Sequence, residues 1–252
     1  MTRAYGWQPD LPDIRDYAFS AVHAPAPGAL PNKISLRAQM PPVFDQGQLG
    51  SCTANALCGA LGFLHHGFVG SRLQVYYDER AIEHTTRHDA GAQIRDGIKV
   101  LNKTGAAPDA DWPYDISKFA KAPSKKAIKD AGAHRIATYS RLTWHDYSRC
   151  LASGFPFVIG FTVYESFESD EVAKSGIVPM PAAGEKPLGG HAVCVIGYDM
   201  SRLDGPVYEV RNSWGPDWGD EGNFWGDEGN FWIPFAYLQN GSLADDAWTI
   251  RA

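Results

Sequence analysis

The chain has 252 residues, 44% apolar and 21% charged, with a net charge of −6. That supports one large domain or two small ones around a real core, and it excludes collagen, a coiled coil and a disordered chain. The acidic balance argues against a nucleic-acid partner. No apolar run approaches the ~20 residues of a membrane helix, so no membrane partner is expected. Four cysteines are too few for a disulfide scaffold. The first ten residues form no apolar leader, so the default compartment is cytoplasmic, with leaderless export left open.

The first 45 residues hold seven of the 17 prolines. Proline fixes φ and removes a donor, so this stretch should be extended and irregular. Residues 1–29 read as an extension, propeptide-like in position, lying on the surface of the main body. Ala24-Pro-Ala-Pro-Gly28 is its linker. Tyr5, Trp7, Tyr17 and Phe19 are its candidate anchors, and it is expected to lie across or beside the functional cleft and limit access.

Residues 30–252 form the main domain. Its first half, about 46–134, is helical. Ser51 is a candidate N-cap; Ala54, Leu57, Cys58, Leu61 and Leu64 follow at helical spacing, and Gly67 ends the run. Leu73, Tyr76, Tyr77, Ala81 and His84 predict a second helix. Ile94, Ile98 and Leu101, closed by Gly105, predict a third. Ser117 to His134 is a solvated helix and loop. From about 135 to 252 the character turns to strands: 157–161, 192–196, 207–210 and 247–250 are short β-type runs. Helices first and strands second predict an α+β fold with two lobes and a cleft between them.

One repeat is internal and identical: Gly219-Asp-Glu-Gly-Asn-Phe-Trp225 recurs as residues 226–232. An odd period of seven cannot extend one strand while keeping the same face inward. One copy should bulge out, or the two should pair as a hairpin, unless the repeat is a duplication without function.

The informative stretch is Asp45-Gln46-Gly47-Gln48-Leu49-Gly50-Ser51-Cys52. It puts a cysteine at the start of an apolar helix, where unpaired N–H groups and partial positive charge favour a thiolate. Gln46 can reach back with an amide donor. Gly189-Gly190-His191-Ala192 places a histidine at the mouth of an apolar strand. Asn212, 21 residues later, ends the next strand. Neighbouring strands can bring His191 and Asn212 together, so that the amide fixes one ring nitrogen while the other faces Cys52. Trp214 could shield that bond from water.

Together these motifs resemble the papain-like cysteine peptidases, and the extension through Pro12-Asp13-Ile14-Arg15-Asp16 resembles the prokaryotic branch that includes xylellain. The matching residues are Gln46…Gly50-Ser51-Cys52, Gly190-His191-Ala192-Val193 and Asn212-Ser213-Trp214-Gly215, with His191 139 residues after Cys52. The resemblance implies a helical left lobe and a β-barrel-like right lobe. It implies a cysteine endopeptidase acting on polypeptides through a Cys52 thiolate and His191 imidazolium, with a thioester intermediate. Asn212 would orient His191, and Gln46 would stabilise the oxyanion. The thiol pKa would be lowered by several units. Gly91, Ala92, Ile94, Gly160, Gly190, Ala192 and Trp214 would bind substrate, with an apolar preference two residues before the scissile bond. Thr53 and Leu49 depart from the family pattern, standing where a tryptophan and a disulfide cysteine are usual.

Two other readings stay open. One is a related thiol acyl-transfer enzyme, such as a deamidase, isopeptidase or transpeptidase. The other is a catalytically silent binding protein that keeps the fold. No cofactor and no metal are expected: His84 and His88 stand at i, i+4 but lack a third ligand. The lysines of 118–129 read as a solvated face, and Cys58, Cys150 and Cys194 as buried thiols. A monomer is expected.

Overall fold

The structure is a computed structural model that describes residues 4–22, 29–202, 204–219 and 228–252. The chain begins with a two-residue strand, β1 (Trp7–Gln8), a short helix, α1 (Phe19–Val22), and a strand, β2 (Lys33–Ser35). The helical part follows. Helix α2 (Cys52–Leu64) is buried at every position from Cys52 to Phe63. Its alanines and glycines permit that enclosure: a Cβ on Gly62 would collide with the Phe68 carbonyl and Pro41. Helix α3 (Arg72–Ile82) is capped by Ser71, whose hydroxyl accepts the Gln74 N–H. A short strand, β3 (Ala92–Gln93), runs into α4 (Ile94–Lys103), which turns Ile94, Ile98 and Leu101 inward. Gly105, at φ +86°, closes this segment in the left-handed region. Helix α5 (Lys125–Ala131) completes the helical half. Ser51 sits at the N-cap of α2 as expected, but its hydroxyl bonds Tyr114 and Asn55 instead of the helix backbone.

The second half consists of β4 (Thr138–Arg141), α6 (Tyr147–Ala152), β5 (Phe157–Tyr164), α7 (Asp170–Ser175), β6 (Pro187–Asp199), β7 (Val207–Arg211), β8 (Asn230–Pro234), α8 (Phe235–Leu238) and β9 (Ala244–Arg251). Seven strands form one antiparallel sheet in the order β4-β9-β5-β6-β7-β8, with β2 pairing β6 off that path. Strand β6 is the spine. Its 191–199 stretch is buried throughout, which is why it reads as a nearly unbroken apolar run instead of an alternating one. Among the described residues the path is open, ending at β4 and β8, and does not close into a ring. Helix α2 packs against β6, so the Cys52 helix and the His191 strand share one hydrophobic core.

The extension departs from the expectation of a surface segment. Residues 4–10 enter the molecule, and β1 pairs in parallel with β3, Trp7 beside Ala92 and Gln8 beside Gln93. Gly6 and Asp10 are buried, Tyr5 and Trp7 half-buried and Phe19 buried. The Tyr17 side chain is 65% exposed, and it is the Tyr17 carbonyl that holds, accepting the Arg141 N–H at 2.8 Å. We call residues 4–19 the strap. The linker at 24–28 lies outside the described residues. So does most of the first copy of the repeat, with the bulge and hairpin expectations attached to it. Asn230–Trp232 of the second copy lie in β8, and the Gly229 N–H donates to the Trp218 carbonyl at 2.9 Å.

Candidate active site

Helix α2 places Cys52 at its first residue, wholly buried. Its sulfur accepts backbone N–H bonds from Ala192, Gly6 and Thr53. Ala192 adjoins His191, so the sulfur and the imidazole come from neighbouring positions on facing elements. His191 is buried on β6, and its Nε2 lies 2.9 Å from Asn212 Oδ1. That oxygen also accepts the Ser213 N–H. An oxygen there can only accept, so Nε2 carries the proton and Nδ1 is the ring's basic nitrogen. Trp214 stacks on the His191 ring, centroids 5.0 Å apart. It is buried.

Gln46 is wholly buried in the loop before α2. The Ser213 hydroxyl donates to its Oε1 at 2.7 Å, which turns Nε2 toward Leu49 O and Ala4 O, at 3.0 and 3.2 Å. The structure therefore gathers Gln46, Cys52, His191 and Asn212 around one point.

That point is occupied by the chain itself. The Ala4 carbonyl takes the Gln46 amide. The Gly6 N–H donates to the Cys52 sulfur, and the Gly6 carbonyl accepts the Ala92 N–H at 2.8 Å. Tyr5 packs edge-on against His191 and Trp214 and hydrogen-bonds Glu168. The path admits glycine alone at several points. A Cβ on Gly6 would fall on the Gly50 carbonyl, and one on Gly91 on the Gly6 carbonyl. Trp7 fills the space over Gly160 and Gly190, where an added Cβ would meet its indole. Of the other residues expected to bind substrate, Gly91 and Ala92 lie along the strap. Ile94 is buried at the start of α4.

Two expectations change. The thiol was expected to have a lowered pKa, but burial pushes Cys52 up to about 11, against the pull of its three N–H donors. The strap's backbone excludes water from the sulfur, and desolvation disfavours the charged form. The preference two residues before the scissile bond was expected to be apolar, but the space over Gly160 that Trp7 fills has a carboxylate at its end. The indole Nε1 donates to Asp246 Oδ2 at 3.2 Å. Asp246 is buried, at φ +57°, and bonded to Arg141 at 2.9 Å. Sequence reasoning missed it because Asp246 lies 239 positions from Trp7 and in no motif; its only signal was an acid opening a strand-like run.

Ionised groups fasten the strap further along. Asp10 accepts the Arg95 N–H and the Trp248 indole N–H, and its own N–H donates to Asp246. Asp16 pairs with Arg95 at 2.6 Å and Arg141 at 3.3 Å. At the departing position Thr53, the hydroxyl donates to Glu79, a carboxyl raised well above its ordinary range by burial. Among the described residues, no three potential ligands cluster as a metal site.

The model of the papain family cysteine proteases matches residues 30–231. An uncharacterised peptidase C1-like protein of Acanthamoeba polyphaga mimivirus is 40% identical over 224 residues, covering 82% of this chain and 69% of its own. A cathepsin B-like protein of Giardia intestinalis is 30% identical, covering 73% of this chain and 64% of its own. The chain thus spans about two thirds of the length of these relatives. Among solved structures, xylellain, a cysteine protease from Xylella fastidiosa, superposes with a TM-score of 0.85 at 38% identity, over 100% of this chain and 98% of its own. A procathepsin B of Trypanosoma congolense shares the fold at 18% identity, TM-score 0.70, over 99% and 87%.

Proposed function

Because the chain belongs to the papain family of cysteine proteases, we propose that it is an endopeptidase held latent by its own strap. The reading is carried by one observation: a stretch of peptide backbone lies along the cleft with a carbonyl on Gln46 and an amide on the Cys52 sulfur. The cleft accepts extended polypeptide, but the strap presents an N–H to the nucleophile where attack needs a carbonyl carbon. It occupies the site without offering a bond to break.

With the strap displaced, water returns and the main cause of the raised thiol pKa is removed. Cys52 then gives its proton to His191 Nδ1 and attacks the substrate carbonyl. The Gln46 Nε2 and the Cys52 backbone N–H hold the oxyanion. His191 protonates the leaving amine and then activates water against the thioester. Asn212, fixed by its bond to Ser213 N–H, keeps the ring oriented throughout. The vacated Trp7 pocket, glycine-walled with Asp246 at its end, suits a flat side chain that carries an N–H donor.

The test compares the full chain with a form lacking residues 1–29. The truncated form should cleave a peptide library and take one equivalent of an epoxysuccinyl inhibitor at Cys52, with Cys52→Ala inert in both assays. Hydrolysis that survives Cys52→Ala would sink the scheme. A truncated form that folds but leaves Cys52 unlabelled would favour the silent binding protein, and amine incorporation over hydrolysis would favour a transferase.

A further inference from the structure

The loop carrying the nucleophile has no covalent tie to its surroundings, since all four cysteines are free. It is held by a polar connection that the reaction scheme above does not use. The Gly50 N–H, two residues before Cys52, donates to both carboxylate oxygens of Asp89, at 3.1 and 3.0 Å. The Tyr76 hydroxyl donates to the same carboxylate at 2.5 Å and accepts the Gly91 N–H at 3.1 Å. Gly91 leads into Ala92, whose N–H holds the peptide-like strap. One carboxylate and one phenol therefore join the nucleophile loop to the edge on which peptide backbone docks.

The support behind this pair is built in. Arg80 is wholly buried on α3, one turn from Tyr76, and its guanidinium lies over the Tyr76 ring at 4.0 Å. It donates to the carbonyls of Thr86 and His88 at 3.0 and 2.9 Å, which shapes the loop that presents Asp89. Burial and the adjacent carboxylate keep the Tyr76 hydroxyl protonated, so it remains a donor. A carboxylate accepting a backbone N–H makes a charge-assisted bond, stronger than a neutral one. A shift of about 1 Å at a catalytic group can cost about a hundredfold in rate.

Resting on the endopeptidase reading, we propose that Asp89 and Tyr76 are positioning residues that set the Cys52 loop at a fixed distance from the peptide-docking edge at Gly91–Ala92. Neither touches the reacting atoms. Asp89 acts through Gly50 on the nucleophile and the oxyanion N–H, so its loss should fall on kcat. Tyr76 acts through Gly91 on the docking edge, so loss of its hydroxyl should fall on KM.

The experiment uses the full chain and its basal hydrolysis of a peptide substrate, per active site titrated with an epoxysuccinyl inhibitor. Asp89→Ala should lower kcat about tenfold, the loss of roughly one such hydrogen bond. Asp89→Asn keeps an oxygen that accepts the Gly50 N–H and should recover most of that loss. Tyr76→Phe keeps the ring under Arg80 and should raise KM with kcat little changed. A merely structural role would lower the melting temperature and leave per-site kinetics alone. Per-site kinetics unchanged in Asp89→Ala, or Asp89→Asn as poor as Asp89→Ala, overturns the proposal. If neither the wild type nor the form lacking residues 1–29 hydrolyses peptide, the endopeptidase reading fails, and amide hydrogen exchange at Gly50 and Gly91 judges the clasp by itself. Exchange at Gly50 should quicken in Asp89→Asn and Asp89→Ala in graded fashion; unchanged exchange means that no clasp exists.

Discussion

The floor and the roof of the cleft are built from different materials. The floor is carried by the start of α2 (Cys52) and the loop before it (Gln46), by β6 (His191) and by the residue after β7 (Asn212), set against one apolar core, with uncharged hydrogen bonds running from Gln46 through Ser213 to Asn212 and His191. The roof, residues 4–19, has few apolar anchors and is fastened by Asp10 and Asp16 to Arg95, Arg141 and the Trp248 indole. Burial of hydrocarbon is indifferent to pH and hard to undo locally, whereas ionised pairs respond to protons and to single substitutions. The contrast assigns permanence to the floor and reversibility to the roof.

Breaking the floor should have the largest effect. Gln46→Ala removes one oxyanion donor and should lower kcat about 10²- to 10³-fold in the truncated protein. Active-site titration keeps folding out of that number, and a loss under threefold would mean that Gln46 is only a lobe tie. Breaking the roof should raise activity instead. Asp10→Ala leaves the Arg95 and Trp248 donors unanswered, which disfavours the docked strap. Basal turnover of the full chain should rise about tenfold while the truncated protein carries no such site. A full chain no faster than wild type would show that the acidic anchors do not hold the strap.

The smallest expected effect is that of pH, and its sign follows from the closed form. Asp246 is pushed up to about 7, first by burial and next by the charge of Asp10, with Asp245 adding and Arg141 opposing. Trp7 and Asp10 depart with the strap, so the open form holds that proton less tightly. Closure is therefore fully supported below the ordinary carboxylate range and weakens as pH rises through about 7. Cys52, raised in the closed form, acts in the same direction. The ratio of full-chain to truncated turnover should climb a few-fold between pH 6 and 8, and Asp246→Asn should flatten it. A ratio that falls with pH contradicts the assignment.

Much of the floor was legible because its members sit in short patterns with their own local physics. A cysteine opens a helix, a histidine follows two glycines at a strand's mouth, and an asparagine ends the next strand. The inner parts of the two long strands, 157–161 and 192–196, were legible as apolar runs; their extensions to 164 and back to 187 were not. The roof was not, because an extended segment has no periodicity and the sites it docks on are assembled from distant positions: Gly50, Gly91, Gly160 and Gly190. The carboxylates were invisible for the same reason. Asp89 and Asp246 matter through partners 39 and 239 positions away, and no local rule links Asp246 to Trp7. Tyr17 was misread as an anchor because aromatic character alone does not say which side of an extended strap faces inward.

The Gln46 backbone N–H donates to the Ser213 carbonyl at 2.9 Å, and the Ser213 hydroxyl donates to its side-chain oxygen. The two halves of the molecule are thus riveted through the very residue whose side-chain amide takes the strap's Ala4 carbonyl. Any spreading of the halves to admit a polypeptide would drag that amide off its target. On the proposed reading, substrate enters by peeling a thread from an otherwise stationary groove, and the groove it meets is already aligned for chemistry.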